Sequence, residues 1–374
     1  MNRTNFSFYM PTQLIFDNGA ANKLNEYAKG TSLIIVSDPF LFNNGTAEKI
    51  AKATGIKKVA YFSEVEPNPS CQTIDRAAAV ARENEVDVVI GLGGGSAMDA
   101  SKMVACLVNN PGSIFDYYST GDSQLAPRTA QLICIPSTAG TGSEVTNIGV
   151  YTNKETGIKM PFATEYFWPD IALIDPELTY TLPAMISATT GMDAFCHAIE
   201  AYWSVNANPI SDAISVSVLK LILENIETAC KEPQNIEARK NMSLASVMAG
   251  ISFSQTKTTA IHAVSFPLTT DFGASHGLAC CITLPAFTKF IYSGNQTKMD
   301  YLMAILGFDN IDAFVEAIKS TMINIGLPVH LSALKVEEKD LSHIVEVSMK
   351  APLINFTPVK VTKENLFDLL KSIL

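Results

Sequence analysis

Charge is scarce in this sequence. Only 17% of its 374 residues are Asp, Glu, Lys or Arg, and no run of Lys or Arg is dense enough to reverse locally the formal net charge of -10. A surface of that sign repels phosphate backbones and anionic lipid, so neither nucleic acid nor a membrane surface is an expected partner. No stretch reaches the ~20 consecutive apolar residues that a bilayer span needs. Residues 1–20 also lack the basic region followed by an apolar run that marks a secretory signal, so a cytoplasmic location is expected. There is no CxxC pair. The seven cysteines, Cys71, Cys106, Cys134, Cys196, Cys230, Cys280 and Cys281, are odd in number, which argues against both a disulfide framework and a thiolate zinc site. They are expected to be buried thiols.

What the sequence has in quantity is core-forming material, with 47% of its residues hydrophobic. Its length exceeds the roughly 250–300 residues at which single cores stop growing, so two packed domains are expected. In the first half, short β-branched runs alternate with helical stretches, the signature of a parallel sheet covered by helices. Strands are predicted at Ser32–Val36, Lys58–Phe62, Asp87–Gly91 and Gln131–Ile135, and helices at Asn44–Lys52 and Gln72–Glu83. Beyond Leu182 long amphipathic patterns take over, at Ser211–Cys230, Ile236–Ser252 and Ile311–Ile325. The expected organisation is an α/β domain over residues 1–181 and an all-α domain over 182–374.

The strand ending near Gly91 runs into Gly93-Gly94-Gly95-Ser96-Ala97-Met98 and then a good helix. A helix amino terminus presents unpaired N–H groups and partial positive charge to a pyrophosphate, and glycine lets the backbone approach it closely. The spacing departs from the strict G-x-G-x-x-G pattern, and taken alone it fits a tight strand-to-helix turn equally well. A second loop of small and hydroxyl residues, Pro136 to Glu144, follows the strand at Gln131. Two such loops past the carboxyl ends of parallel strands are where open α/β folds bind ligands. Asp38, after the first predicted strand, is placed either to accept from an adenosine ribose or to cap a helix before Pro39. As a ribose acceptor it would repel a 2′-phosphate and so favour NAD over NADP.

Histidine is the other scarce residue, and there are five in all. In the predicted helix around Thr189–Tyr202, Asp193 and His197 stand four residues apart and so share one face, a chelating spacing. A hydrogen-bonded structural pair would use the same spacing. His262 and His276 are the candidates to complete a metal site, whereas His330 and His343 read as structural or surface residues. Cys196 points in another helical direction and reads as core. One carboxylate with three imidazoles leaves open positions and suits Fe(II) or Zn(II) better than Mg(II) or Ca(II).

Across these segments the chain resembles the iron-containing alcohol dehydrogenase family over essentially its full length. The matching stretches are Gly91–Lys102, Pro136–Thr146, Asp175–Thr179, Gly191–Tyr202 and His262–Gly277. The resemblance implies a Rossmann-like dinucleotide-binding amino-terminal domain and an all-α metal-binding carboxyl-terminal domain, the dehydroquinate synthase-like architecture. It implies metal ligation by Asp193, His197, His262 and His276, and assembly as a homodimer or larger oligomer. It further implies cofactor contacts from Asp38, Asn68, Gly94, Gly95, Ser96, Ala97, Met98, Thr138, Thr141, Lys159 and Leu178. Two departures stand out. Phe266 occupies a position where many relatives carry a histidine assigned to proton delivery. Ser254–Thr259 replaces an Asn-rich, glycine-containing run, and its Lys257 among hydroxyls, with Thr258 beside it, suggests an anion-binding pocket.

The expected activity is therefore hydride transfer between NAD(H) and a small alcohol or aldehyde. The Ser254–Thr259 run resembles phosphonoacetaldehyde reductases of the family, whose substrate carries a phosphonate. The alternative in the same class is a neutral short-chain substrate of the lactaldehyde or 1,3-propanediol type. Outside that class stand a dehydroquinate synthase-like lyase and a non-catalytic metal- or nucleotide-binding protein.

Overall fold

The computed structural model describes residues 5–118, 121, 123–157 and 159–374. The chain divides into two compact units: a sheet unit of Met10–Thr138 with Gly142–Thr179, and a helical unit of Met1–Tyr9, Ala139–Thr141 and Tyr180–Leu374.

The sheet unit is built on β1 (Gln13–Phe16), β2 (Ser32–Ser37), β3 (Lys58–Phe62), β4 (Val88–Gly93), β5 (Gln131–Pro136) and β8 (Ile171–Ile174), in the order β1-β8-β5-β4-β2-β3. Every neighbouring pair is parallel. A separate antiparallel hairpin joins β6 (Ile148–Thr152) to β7 (Lys159–Ala163). Helices α1 (Pro39–Asn43), α2 (Thr46–Thr54), α3 (Cys71–Glu83) and α4 (Gly95–Leu107) supply the crossovers between β2, β3, β4 and β5.

The central strands β2 and β4 are buried along their whole length, and alternate residues serve opposite faces. Ile34, Val36 and Val89 pack with α3 and α4, whereas Leu33, Ile35, Val88 and Ile90 pack with α2 and the turn at Ala20–Glu26. The four strands expected from the sequence are present. Four more, β1, β6, β7 and β8, were not expected. β1 and β8 have four residues each, too short for alternation to register, and β7 contains Pro161, which a two-stranded ribbon tolerates because both its strands are edges. The helix expected from Asn44 starts instead at Thr46, because Gly45 takes a φ of 82° and separates it from α1.

The helical unit contains α5 (Ala184–Trp203), α6 (Pro209–Lys231), α7 (Ile236–Thr256), α8 (Ala260–Thr270), α9 (His276–Cys281), α10 (Leu284–Tyr292), α11 (Gln296–Leu306), α12 (Ile311–Asn324), α13 (Leu341–Ser348) and α14 (Lys363–Lys371). Helix α5 is the centre of its core: every residue from Gly191 to Trp203 is buried. A helix apolar all round belongs inside a core, so each polar side chain it carries must find a partner there or lose stability. No described helix is long and apolar enough to cross a membrane. All seven cysteines are free and buried.

A buried lysine and a half-buried aspartate hold the loop after β5. Lys102, on α4 and wholly inaccessible, donates to Ser143 Oγ at 2.7 Å, Thr146 Oγ1 at 3.0 Å and the Ile148 carbonyl at 2.6 Å. Asp99, one turn earlier, accepts from the Val150 amide at 3.0 Å. Glu144 lies in the same loop, and one of its oxygens lacks a hydrogen-bond partner among the described residues. Burial pushes its carboxyl up to about 7, against the opposing pull of its own backbone amide and the Lys102 ammonium.

Because the folded pKa of Glu144 exceeds its unfolded value, the native state holds a proton that the unfolded chain releases. Its contribution is therefore complete at low pH and is lost as pH rises toward and through 7. Glu144→Gln should flatten the stability profile between pH 5 and pH 8 and exceed the parent at pH 8 by about 2 kcal/mol. Urea unfolding at the two pH values checks this, and an unchanged profile would refute it.

Candidate metal centre

Three polar residues of α5, Asp193, His197 and Glu200, fall on one helical face at spacings of four and three. All three are buried. Two further segments reach that face. The backbone of α9 lies so close to α5 that a Cβ built on Gly277 would stand 2.1 Å from the Thr189 carbonyl oxygen. This approach brings His276 Nε2 to 3.8 Å from Asp193 Oδ1.

Helix α8 arrives by a different device. Glu200, with no accessible surface, accepts at Oε1 from the Thr259 amide at 3.0 Å, the Thr259 hydroxyl at 2.5 Å and the Ile261 amide at 2.9 Å. These amides belong to a helix amino terminus, where no intrahelical acceptor exists and the dipole favours negative charge. Its other oxygen, Oε2, is hydrogen-bonded to His262 Nδ1. That contact turns His262 Nε2 toward Asp193 Oδ1, 3.7 Å away. A carboxylate behind an imidazole in this way sets which ring nitrogen is presented forward.

His197 completes the group at its edge. Its ring stacks on Phe253 at 4.2 Å and on His262 at 4.5 Å, and its Nδ1 is 3.9 Å from Asp193 Oδ2. Burial, with the neighbouring His262, pulls the His197 imidazole well below its ordinary pKa, so it stays neutral. Burial acts the same way on His262, but Cys280 and Glu200 outweigh it and raise that imidazole well above its ordinary value.

His197 Nδ1 and His262 Nε2 are buried with no hydrogen-bond partner among the described residues. Unsatisfied buried nitrogens cost about 1–3 kcal/mol each. Beside a carboxylate, they form the pattern that a bound cation completes. The donor set of imidazole and carboxylate fits a divalent transition metal. The four residues singled out by sequence are thus together. His330 and His343 are exposed, and His343 Nε2 meets Asp271 at 2.9 Å.

Sequence reading did not pick out two neighbours. Glu200 continues the face of Asp193 and His197 one turn on, a signal that was available. Cys280 sits in the apolar run Leu278–Ile282, where a thiol reads as packing. Its donor atom, with those of Asp193, His262 and His276, forms a set whose members all lie within 4.8 Å of one another.

The residues singled out for the dinucleotide lie mostly in the sheet unit. Gly94 caps α4, so Gly95, Ser96, Ala97 and Met98 form its first turn. Gly93 takes a φ of 148°, and a Cβ there would meet Ala97 at 2.9 Å. The turn is closed so tightly that only glycine fits. Ser96 Oγ is 3.2 Å from the Asn68 amide, and Lys159 donates to Asn68 Oδ1 at 2.7 Å. Three residues far apart in sequence therefore meet. Thr138 stands beside Gly94, and Leu178 packs on the core face shared by Leu41 and Leu173. Asp38 Oδ1 caps α1 through the Leu41 amide at 3.0 Å. Thr141 falls in the segment that belongs to the helical unit.

In the helical unit, Lys257 ends α7 with a left-handed φ of 64°, and Thr258 beside it is buried. Phe266 lies one turn after His262 on α8, half-buried.

The close approach of α9 to α5 leaves no room for a methyl group at Gly277. Gly277→Ala should lower stability by about 2–3 kcal/mol, since backbone must move to admit it. Thermal unfolding measures this, and an unchanged melting temperature would contradict the tight approach.

The family model for iron-containing alcohol dehydrogenase matches residues 11–176, and that for the carboxyl-terminal part of the Fe-containing alcohol dehydrogenase family matches residues 187–374. The chain is 31% identical to 1,3-propanediol dehydrogenase of Klebsiella pneumoniae, covering 92% of each. It is 31% identical to sulfoacetaldehyde reductase of Bilophila wadsworthia (strain 3_1_6), covering 94% of each. Among solved structures, that of sulfoacetaldehyde reductase from Bifidobacterium kashiwanohense in complex with NAD+ superposes with a TM-score of 0.94 at 34% identity, covering 99% of both chains. The two family models together span nearly the whole sequence, and the chain belongs to the iron-containing alcohol dehydrogenase family.

Proposed function

We propose that Asp193, His197, His262 and His276 hold one divalent ion, Fe(II) or Zn(II), and that the chain is an NAD(H)-dependent alcohol dehydrogenase and aldehyde reductase. The observation that carries this reading is the pair of buried imidazole nitrogens, on His197 and His262, that face a buried carboxylate without hydrogen-bond partners. When bound, such an ion supplies Lewis-acid polarisation of an aldehyde oxygen, and NADH supplies the hydride.

The chain's own residues do the positioning. Glu200 keeps His262 in one tautomer and one orientation, so no reorganisation is needed when charge develops nearby. Phe253, stacked on His197, walls the group with apolar surface and strengthens electrostatic interactions inside it. The first turn of α4, with Gly94 to Met98, offers amides to a pyrophosphate, while Asn68, held by Ser96 and Lys159, and Thr138 border it. Asp38 keeps one oxygen for its cap, and a Cβ built on Gly93 would lie 3.4 Å from the other. A carboxylate there disfavours a 2′-phosphate, which supports NAD over NADP. With Phe266 in place of an imidazole, the proton for the product alkoxide comes from another source.

The finer reading is that the substrate is a small anionic aldehyde. Lys257 is half-buried, and burial depresses its pKa. Neither an ion pair nor a hydrogen bond of its ammonium is found among the described residues. A desolvated ammonium short of counter-charge is stabilised by an incoming anion. Two relatives are named for a sulfonated aldehyde, and sulfonate and phosphonate share the feature a lysine recognises, a compact multi-oxygen anion. Thr259, committed to Glu200 and to the Trp203 indole, is not available for that contact, whereas Thr258 is.

Loss of NADH absorbance with propionaldehyde, sulfoacetaldehyde and phosphonoacetaldehyde tests both levels. Activity should vanish on chelation and return with Fe(II) or Zn(II), and full activity in metal-free protein would overturn the metal reading. Lys257→Ala should lower kcat/KM by about 10–100-fold for the two anions, as befits a lost charge contact, and leave propionaldehyde little changed. An equal loss for all three substrates would remove the anionic reading.

A further inference from the structure

One exposed aromatic beside Asp38 has no role in the fold. Phe40 lies on α1, past the carboxyl end of β2, and is 65% exposed. Its neighbours on that short helix are engaged. Asp38 caps the helix through the Leu41 amide, and Leu41 is buried in the core of the sheet unit. Phe42 packs edge-to-face on Tyr61 of β3, with ring centroids 5.5 Å apart. Phe40 has no such ring partner among the described residues.

The helix fixes where Phe40 faces. Successive residues are turned by about 100°, so Phe40 stands about 200° round from Phe42 and faces away from β3. The other neighbour of β2 is β4. Leu41, between the two phenylalanines, already reaches the end of β4, since its Cδ1 is 3.6 Å from a Cβ built on Gly93. Phe40 is thus turned to the side of β2 on which the first turn of α4 begins. A ribose held through its 2′-hydroxyl at Asp38 carries its base on the adjoining ring carbon, and two residues of chain span at most about 7 Å. A purine on that ribose lies within reach of the Phe40 ring.

We propose that Phe40 is a stacking platform for the purine base of the dinucleotide. This rests on the dinucleotide reading of the sheet unit. Stacking uses the face of the base and not its hydrogen-bonding edge, so it adds affinity without reading which purine is present. It also covers an aromatic ring otherwise left in water. The contact is made at the end of the cofactor remote from the nicotinamide and is the same before and during hydride transfer. Phe40 therefore sets how tightly the cofactor is held and leaves kcat alone.

The test is direct binding, followed by the fluorescence of reduced nicotinamide in wild type, Phe40→Ala, Phe40→Trp and Phe42→Ala. Phe40→Ala should weaken NADH binding by about 5–100-fold, and Phe40→Trp should restore it. Reduced nicotinamide mononucleotide, which has no adenosine, should bind wild type and Phe40→Ala alike. Phe42→Ala, which removes the ring on Tyr61, should leave the NADH affinity little changed. In Phe40→Trp, ADP-ribose, which carries the adenine without the nicotinamide, should quench the added indole emission. An unchanged NADH affinity in Phe40→Ala, an equal loss in Phe42→Ala, or ADP-ribose bound without quenching would overturn the stacking role and leave the dinucleotide reading intact. Wild type that binds no NADH would instead overturn the dinucleotide reading, and Phe40 with it.

Discussion

A single buried carboxylate organises the helical unit. Glu200 satisfies the first-turn amides of α8 and the back of the His262 ring at once. Burying a charge costs several kcal/mol unless it is fully hydrogen-bonded, and here the partners are a helix amino terminus and an imidazole. The Trp203 indole adds a second layer by donating to the Thr259 hydroxyl at 2.9 Å. Without that carboxylate, the start of α8 would lose its acceptor and His262 would lose the contact that aims Nε2 at Asp193. Glu200 thus links the packing of α5 to the chemistry of the site.

The rest of the site follows from how closely backbones can approach. Gly277 lets α9 lie on α5 and sets His276 opposite Asp193. In the sheet unit, Gly93 and Gly94 bring the end of β4 tightly into α4 and leave that helix's first amides open. The same logic serves two chemistries: glycine permits contact, and a helix amino terminus supplies donors. In one unit those donors meet the chain's own carboxylate. In the other they remain available to a ligand.

Much of this was legible in the sequence, for reasons that differ between residues. Asp193 and His197 announce themselves by spacing, and His262 and His276 by the scarcity of histidine. The strands β2 to β5 are visible because each, five or six residues long, holds at least four consecutive residues without a polar or charged side chain other than tyrosine and is ended by turn chemistry. β8 is hidden because four apolar residues after Pro169 look like any short loop flank, and β1 because its edge position leaves its pattern mixed. The meeting of Asn68, Ser96 and Lys159 cannot be read from spacing, since it depends on a hairpin that returns residue 159 to the turn before α3. Cys280 was hidden by its surroundings, since within an apolar run a thiol reads as packing. Asp38 keeps both of its alternatives, since capping α1 occupies one oxygen only.

The central claim is that side chains from α5, α8 and α9 converge on one ion. Anomalous diffraction from crystals of the zinc-loaded chain, recorded above and below the zinc edge, tests it most directly. The account predicts a single peak per chain in contact with Asp193, His197, His262 and His276, with Glu200 still behind the His262 ring. A peak located elsewhere, or none in protein shown to be metal-replete, would contradict it.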